Sequence, residues 1–317
     1  MELTGLHHVT AVTAKAPLNL SFYTKTLGMR LVKKTVNQDD VSAYHLFYAD
    51  AAGSPGTDLT FFDWAHAGPH RAGTGDVATT GLRVRDREAL AWWIDRFDSL
   101  GVKHGEIDDA SGRPTLRFVD PEGQPLSLVA GGDGGGTPWD KSPVPSTQGI
   151  RGLDSVTLTI RRLAPTERVL VEVLGFRQTR EYDLATDTGT HRALVFETGA
   201  GGAGAEVHVV ERTDIMPTRQ GAGGVHHVAF RTPNAEEQRL WLEKITKSGL
   251  PASPQIDRFY FQSIYFREPN GILFEIATDG PGFAADEDAE HLGEGLALPP
   301  FLEGRRAAIE RGLKPLE

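Results

Sequence analysis

Paired imidazoles occur in two closely similar stretches. One is Gly5-Leu6-His7-His8-Val9-Thr10 and the other is Gly224-Val225-His226-His227-Val228-Ala229. A third apolar run, Gly271-Ile272-Leu273-Phe274-Glu275-Ile276, carries a single carboxylate. Histidine and glutamate are costly to bury unless they are paired or bound to a metal. Two imidazoles and one carboxylate form a ligand set for mononuclear Fe(II) or another divalent transition ion, with adjacent coordination positions left open. The second histidine of each doublet is the candidate ligand, so the expected set is His8, His227 and Glu275. In a regular strand His8 and Thr10 share one face while His7 and Val9 take the other. His7 and His226 therefore reach a shared pocket only where a bulge or twist re-aims them.

The chain contains its own comparison. Displaced by one constant offset, Leu6 falls on Leu153, Val9 on Val156, Thr10 on Thr157, Leu27-Gly28 on Leu174-Gly175 and Arg30 on Arg177. An offset one residue longer carries Gly101 onto Gly249 and Asp120-Pro121-Glu122-Gly123 onto Glu268-Pro269-Asn270-Gly271. This is the mark of a duplication. In the repeat frame Ser155, Thr79 and Ser127 stand where the other quarters have His8, His227 and Glu275. Ligand-capable residues thus occupy only the first and fourth quarters. One ion held by all three requires those two quarters to pack together, with the second and third quarters forming another cavity without these ligands.

Each quarter has the same expected elements. A strand comes first (Leu6 to Val12, Thr80 to Val84, Ser155 to Ile160, His226 to Phe230). A helix follows with apolar residues three or four apart (Leu18 to Leu27, Glu88 to Leu100, Pro165 to Leu174, Ala235 to Ser248). Each helix runs to a glycine suited to a helix end: Gly28, Gly101, Gly175 or Gly249. Two or three strands then close the unit, through Asp/Glu-Pro-x-Gly turns at 120–123 and 268–271. The fold class expected is α+β, with four βαβββ modules paired into two half-open barrels. Gly131 to Gln148 has the composition of a flexible connection. The expected division is 1–130 (modules 1 and 2), a linker at 131–149, 150–279 (modules 3 and 4) and a packing arm at 280–317. Gly199 to Gly204 is read as a hairpin loop and not a phosphate cradle, because no helix follows it.

Composition narrows the function. The 317 residues carry a formal net charge of −10, which argues against a nucleic-acid partner. The short acidic stretch from Asp286 to Glu290 is read with that charge as a solubility feature. There is no cysteine, so disulfides, thiolate metal sites and thiol nucleophiles are excluded. No run of about 18 apolar residues is present, and no signal-peptide pattern opens the chain. A cytoplasmic protein without membrane association is expected. His66 and His70 are read as exposed loop residues, Trp92 and Trp93 as core, and His45, His104, His191, His208 and His291 as histidines without matched partners.

These segments resemble the vicinal oxygen chelate superfamily, which includes glyoxalases, fosfomycin- and bleomycin-resistance proteins and extradiol dioxygenases. The hallmark stretches are Leu6-His7-His8-Val9-Thr10, Val225-His226-His227-Val228-Ala229-Phe230 and Glu268 through Glu275, and the resemblance covers about residues 3–279. Within it the chain is most similar to the ring-cleaving dioxygenases that act on para-hydroquinones. In the usual extradiol catechol enzymes the first histidine ligand lies in the third module, where this chain has Ser155. The resemblance implies Fe(II), or Mn(II), at His8, His227 and Glu275, with a small aromatic substrate and O2 as reactants. It also implies pocket roles for His7, Thr10, His226, Arg258 and Tyr265. His226 is the acid–base candidate; Arg258 would hold a phenolate or acidic ring substituent, and Tyr265 would donate a hydrogen bond. The plainer alternative pairs Arg258 with a surface carboxylate and packs Tyr265 in a sheet. Competing functions are a glyoxalase-type isomerase or lyase, which would need a second carboxylate as base, and a ligand-sequestering resistance protein without turnover. With both halves in one chain a monomer suffices, and a homodimer is the other expectation.

Overall fold

The structure is a computed structural model that describes residues 1–316. Module 1 comprises β1 (Leu6–Thr13), α1 (Ala16–Ser21), β2 (Arg30–Val36), β3 (Tyr44–Ala49) and β4 (Asp58–Asp63). Module 2 comprises β5 (Asp76–Val84), α2 (Arg87–Leu100), β6 (His104–Asp108), β7 (Thr115–Val119) and β8 (Pro125–Ala130). Module 3 has β9 (Leu153–Ile160), α3 (Leu163–Arg168), β10 (Arg177–Thr186), β11 (Gly189–Glu197) and β12 (Glu206–Glu211). Module 4 has β13 (Val225–Thr232), α4 (Ala235–Lys247), β14 (Ile256–Asp257), β15 (Gln262–Arg267) and β16 (Leu273–Thr278). Two short helices, α5 (Pro300–Glu303) and α6 (Arg306–Gly312), lie in the C-terminal arm.

The modules pair crosswise. Strands β14-β15-β16-β13-β1-β4-β3-β2 form one eight-stranded sheet, and β10-β11-β12-β9-β5-β8-β7-β6 form the other. Each curls into a half-open barrel. Modules 1 and 4 are joined along the antiparallel β1–β13 ladder, and modules 2 and 3 along β5–β9. The pairing expected from the placement of the histidines is the one the chain adopts. Each sheet therefore takes half its strands from either half of the sequence.

The repeated sequence features produce repeated local structure. Asp86 accepts from the amide of Ala89 and caps α2, and Asn234 accepts from the amide of Glu237 and caps α4. Trp93 and Trp241 occupy matching positions on those helices and are fully buried beneath them. Truncating either to alanine costs about 3–5 kcal/mol on the usual scale for core aromatics. The helices of modules 1 and 3 are short and run into π-helical turns at Phe22–Thr26 and Val169–Val173. Gly28, Gly101, Gly175 and Gly249 all have positive φ, as a helix exit through the left-handed region requires.

Both connecting segments make specific contacts with the modules. The stretch 131–149 is largely exposed but is anchored to the modules at several points. Val144 is buried in the core, Ser142 Oγ donates to the carbonyl of Gly28 at 2.7 Å, and Trp93 Nε1 donates to the carbonyl of Gln148 at 2.8 Å. The acidic stretch is structural as well as solubilising. Lys33, with 0% exposure, is bonded to Asp286, Glu287 and the carbonyl of Phe283. A buried ammonium needs such counter-charges, and this group ties the arm to β2. Farther along, Leu298, Leu302 and Ile309 pack on Val36.

Candidate metal centre

The two doublets meet where β1 and β13 cross. Their register contains two irregularities. Leu6 pairs with Phe230 and His8 with Ala229, so His7 is the extra residue of a bulge; Thr10 pairs with His227 and Ala11 with Val225, so His226 is the extra residue of a second. A bulge turns adjacent side chains toward one side. Both members of each doublet consequently come together. His7 Nδ1 lies 2.9 Å from His8 Nδ1, and His226 Nδ1 lies 2.8 Å from His227 Nδ1.

These contacts fix the tautomers. The carbonyl of Thr278 can only accept, so His7 donates Nε2–H to it at 3.1 Å. Burial, together with the neighbouring His8, lowers the pKa of His7 to about 3, and the ring is neutral. Its Nδ1 must then accept from His8 Nδ1–H, which leaves His8 Nε2 as a bare lone pair. His226 is also held neutral, lowered to about 3 by burial and by His227. With the His226 Nδ1 as the acceptor, His227 takes the same tautomer as His8, with Nε2 bare.

The bare nitrogens face each other and one carboxylate oxygen. His8 Nε2 stands 3.3 Å from His227 Nε2, and Glu275 Oε2 lies 3.2 Å from the first and 3.0 Å from the second. Glu275 has 0% exposure, and its Oε2 is a buried acceptor without a hydrogen-bond donor. Its other oxygen accepts from Ser263 Oγ at 2.5 Å. Three acceptor atoms turned toward one point are unfavourable unless a cation lies among them. Two ligands at right angles on one ion, each about 2.1 Å away, stand about 3.0 Å apart. The donor set and its spacing fit one divalent transition ion on one face of its coordination sphere. Among the described residues this is the one cluster of three or more such side chains close enough to share an ion.

A cavity of about 40 Å3 adjoins the cluster, lined by His8, His227, Arg258 and Tyr265 among others. Arg258 makes a two-pronged ion pair with Asp39 at 3.2 and 2.9 Å and lies over the Tyr265 ring, 5.5 Å from its centre. Burial acts to lower the Arg258 pKa, but Tyr265 and Asp39 raise it overall. The Tyr265 hydroxyl is pushed up by burial and by Glu275 and stays protonated at neutral pH. Gln38 Nε2 donates to the carbonyl of Arg258 at 2.8 Å, and the next residue, Phe259, takes φ of 70°, a strained value for a non-glycine residue.

The remaining expected pocket residues sit elsewhere. His7, Thr10 and His226 are not among the residues that line this cavity. His7 is behind His8. Thr10 is fully buried, its Oγ1 2.8 Å from Thr60 Oγ1. His226 packs its ring against Phe62 and Trp64. His45, set aside in the sequence because it has no doublet, does line the cavity. Its Nε2 lies 2.9 Å from Thr60 Oγ1, and its ring packs at a tilt against Phe47 and Phe62. His70 is not exposed but bonded to Asp76 at 2.8 Å. The barrel of modules 2 and 3 has a corresponding cavity with Thr79, Ser127 and Ser155 at the repeat-matched positions. There Arg113 bonds Asp154 and Glu206, and His208 bonds Glu206 at 2.9 Å.

Paired βαβββ modules with a His-His-Glu cluster on β1, β13 and the adjoining β16 define a class, and the chain belongs to it. It is a member of the Glyoxalase/Bleomycin resistance protein/Dioxygenase superfamily, whose family model matches residues 5–128 and 152–276. It is 47% identical over 100% of both chains to a Bacillus subtilis (strain 168) protein named "Putative ring-cleaving dioxygenase MhqA". It is 32% identical to the chlorohydroquinone/hydroquinone 1,2-dioxygenase of Sphingobium indicum, over 98% of this chain and 96% of that one. A crystal structure of a Bacillus subtilis protein described as a "putative dioxygenase" superposes with a TM-score of 0.90 at 36% identity, covering 100% of this chain and 98% of the other. No helix among the described residues is long and apolar enough to cross a membrane.

Proposed function

We propose that the protein is an Fe(II)-dependent ring-cleaving dioxygenase acting on a hydroquinone-like dihydroxylated aromatic, with both atoms of O2 entering the ring-opened product. The observation that carries this reading is the convergence of His8 Nε2, His227 Nε2 and Glu275 Oε2 at 3.0–3.3 Å beside a cavity with an arginine and a tyrosine. The naming of relatives that match over the whole chain as ring-cleaving and hydroquinone dioxygenases supports the same reading. When bound, the ion supplies Lewis acidity toward a ring hydroxyl and a meeting place for the two reactants; Mn(II) suits the same ligands.

The side chains would do the rest. Arg258, always protonated, offers charge and N–H donors to a phenolate or an acidic ring substituent. Tyr265 keeps its proton and can donate it as a hydrogen bond to a ring oxygen. His7 and His226 act as positioning residues: they accept from the ligand imidazoles and aim each Nε2 inward. Thr10 supports this wall through Thr60. The cavity of about 40 Å3 is too small for an aromatic ring; a hydrocarbon cavity that takes benzene measures about 150 Å3. Substrate entry therefore needs the Gln38–Asp39 segment to move away from Arg258. A cytoplasmic monomer or homodimer is the setting we infer.

The test is oxygen uptake by protein loaded anaerobically with Fe(II), offered hydroquinone, catechol or a hemithioacetal in turn. Uptake with hydroquinone, with a new ring-opened chromophore, is the expected result. Isomerisation of the hemithioacetal without O2 consumption would replace the reading with a glyoxalase-type one. Substrate binding without any turnover would leave a sequestering protein.

A further inference from the structure

The repeat frame exposes a difference outside the cluster of His8, His227 and Glu275. Arg231 on β13 makes a two-pronged ion pair with Asp279, both contacts at 2.8 Å. Its counterpart in module 2 is Arg83 on β5, and the counterpart of Asp279 is Gly131, which has no side chain. Arg83 is 9% exposed, yet it forms no ion pair among the described residues. Its one side-chain hydrogen bond goes to the carbonyl of Ala203, and its Nε is buried without a partner. The nearby Asp154 is engaged by Arg113 at 2.5 and 2.9 Å. Burial and the positive neighbours Arg113 and Arg151 lower the Arg83 pKa, against the pull of Asp154. A guanidinium this buried and this poorly compensated is costly without an anion.

The surroundings of Arg83 form a cleft of about 520 Å3 between the two halves of the chain. Arg83 and Arg151 are neighbours in the backbone ladder: the amide of Arg151 donates to the carbonyl of Arg83 at 2.8 Å. Arg151 donates to the carbonyl of Asp133 at 3.2 Å and stands 3.9 Å from its exposed carboxylate, and its buried Nε has no partner. Arg231 lines the same cleft. The acidic residue in the wall, Asp50, is already saturated, accepting from the amides of Ala52, Ser54 and Thr137 at 3.1, 2.9 and 3.0 Å. Two glycine-rich loops close around the arginines. A Cβ at Gly135 or Gly204 would come within 3.2 or 2.8 Å of an Arg83 guanidinium nitrogen. Three guanidinium groups in one cleft stand out in a chain whose net charge is −10.

We propose that this cleft binds a small, multiply charged oxyanion, of the phosphate or dicarboxylate class, between Arg83 and Arg151 with Arg231 at its side. Planar guanidinium forks suit such oxygens. The glycine loops bring backbone and guanidinium close enough to enclose the ligand. Gly199 to Gly204, read from sequence as a plain hairpin loop, is then one wall of an anion site that needs no helix.

The test is isothermal titration of the metal-loaded protein with inorganic phosphate and, separately, with succinate, in chloride of matched ionic strength. One saturable site per chain is expected. Tighter phosphate binding assigns the site to a phosphorylated ligand, and tighter succinate binding to a dicarboxylate. Arg151→Gln and Arg83→Gln should each weaken the preferred anion at least tenfold, and Arg151, being partly exposed, does so without threatening the fold. Glu275→Gln should leave the affinity unchanged. The proposal fails if neither anion saturates by 10 mM, if both arginine variants bind as the wild type does, or if Glu275→Gln abolishes binding while they retain it.

Discussion

At the residue scale, the site depends on protons as much as on ligands. Each ligand histidine can present a bare Nε2 because a neutral histidine next to it accepts at Nδ1. His7→Ala removes that acceptor and the tether to Thr278. Removing such a supporting partner typically weakens metal affinity about 10–100-fold. Anaerobic titration with Fe(II) reads this out, and an unchanged affinity would contradict the tautomer argument. His45 gives a second prediction. Burial, with His8 and His227 nearby, holds its pKa well below the ordinary value. The unfolded chain takes up a proton at about pH 6.5 that the native ring refuses. Stability is therefore unaffected by His45 above that pH and falls as pH drops below it, by about 1.4 kcal/mol per pH unit for this one group. Melting curves between pH 7.5 and 5.5 should be less steep in pH for His45→Asn, and an identical slope would refute the assignment. The three clustered residues were legible in the sequence because doublets and repeat frame marked them. His45 was not, since nothing in a strand such as Tyr44–Ala49 says that its outer neighbour is a cavity. Bulges at His7 and His226 were legible only as a condition, because register is set by the partner strand.

At the element scale, the arm and the linker were the parts least visible beforehand. Glycine and proline content suggests mobility, but packing decides it. Val144 inserts into the core, and Arg30 donates to the carbonyl of Glu290 at 2.9 Å. Acidic residues at 286 and 287 read as solvated until a fully buried Lys33 is found between them. The same group reaches the cavity, because Tyr260 donates to Asp286 at 2.9 Å and Tyr260 lines the cavity. Lys33→Met should leave two carboxylates beside an apolar wall and destabilise the protein by about 3–5 kcal/mol, the usual loss for one partner of a buried pair. Hydrogen exchange should show faster opening across residues 283–309 than in the sheets. Equal protection of the arm in wild type and variant would mean that Lys33 does not anchor it.

At the scale of the whole molecule, duplication explains both what was legible and what the fold can tolerate. The βαβββ order, the capping residues and the crosswise pairing all follow from repeated residues whose differences sort by quarter. The charge network of the second barrel did not follow, because Arg113, Asp154, Glu206 and His208 come from separate strands and share no motif. Because both sheets are completed by strands from each half, residues 1–130 and 150–279 expressed alone would each leave two long sheet edges unpaired. Neither fragment should give a cooperative thermal transition by circular dichroism, and a mixture should recover one. A fragment that melts cooperatively by itself would show that the halves are independent domains.

In the proposed enzyme one divalent ion is held jointly by His8, His227 and Glu275. Anaerobic Fe(II) titration followed by metal analysis of the desalted protein tests it most directly. One ion per chain is predicted for the wild type, falling below a tenth of that for Glu275→Gln while the melting transition persists. A wild-type protein that retains no metal, or a Glu275→Gln protein that retains it fully, would contradict the account.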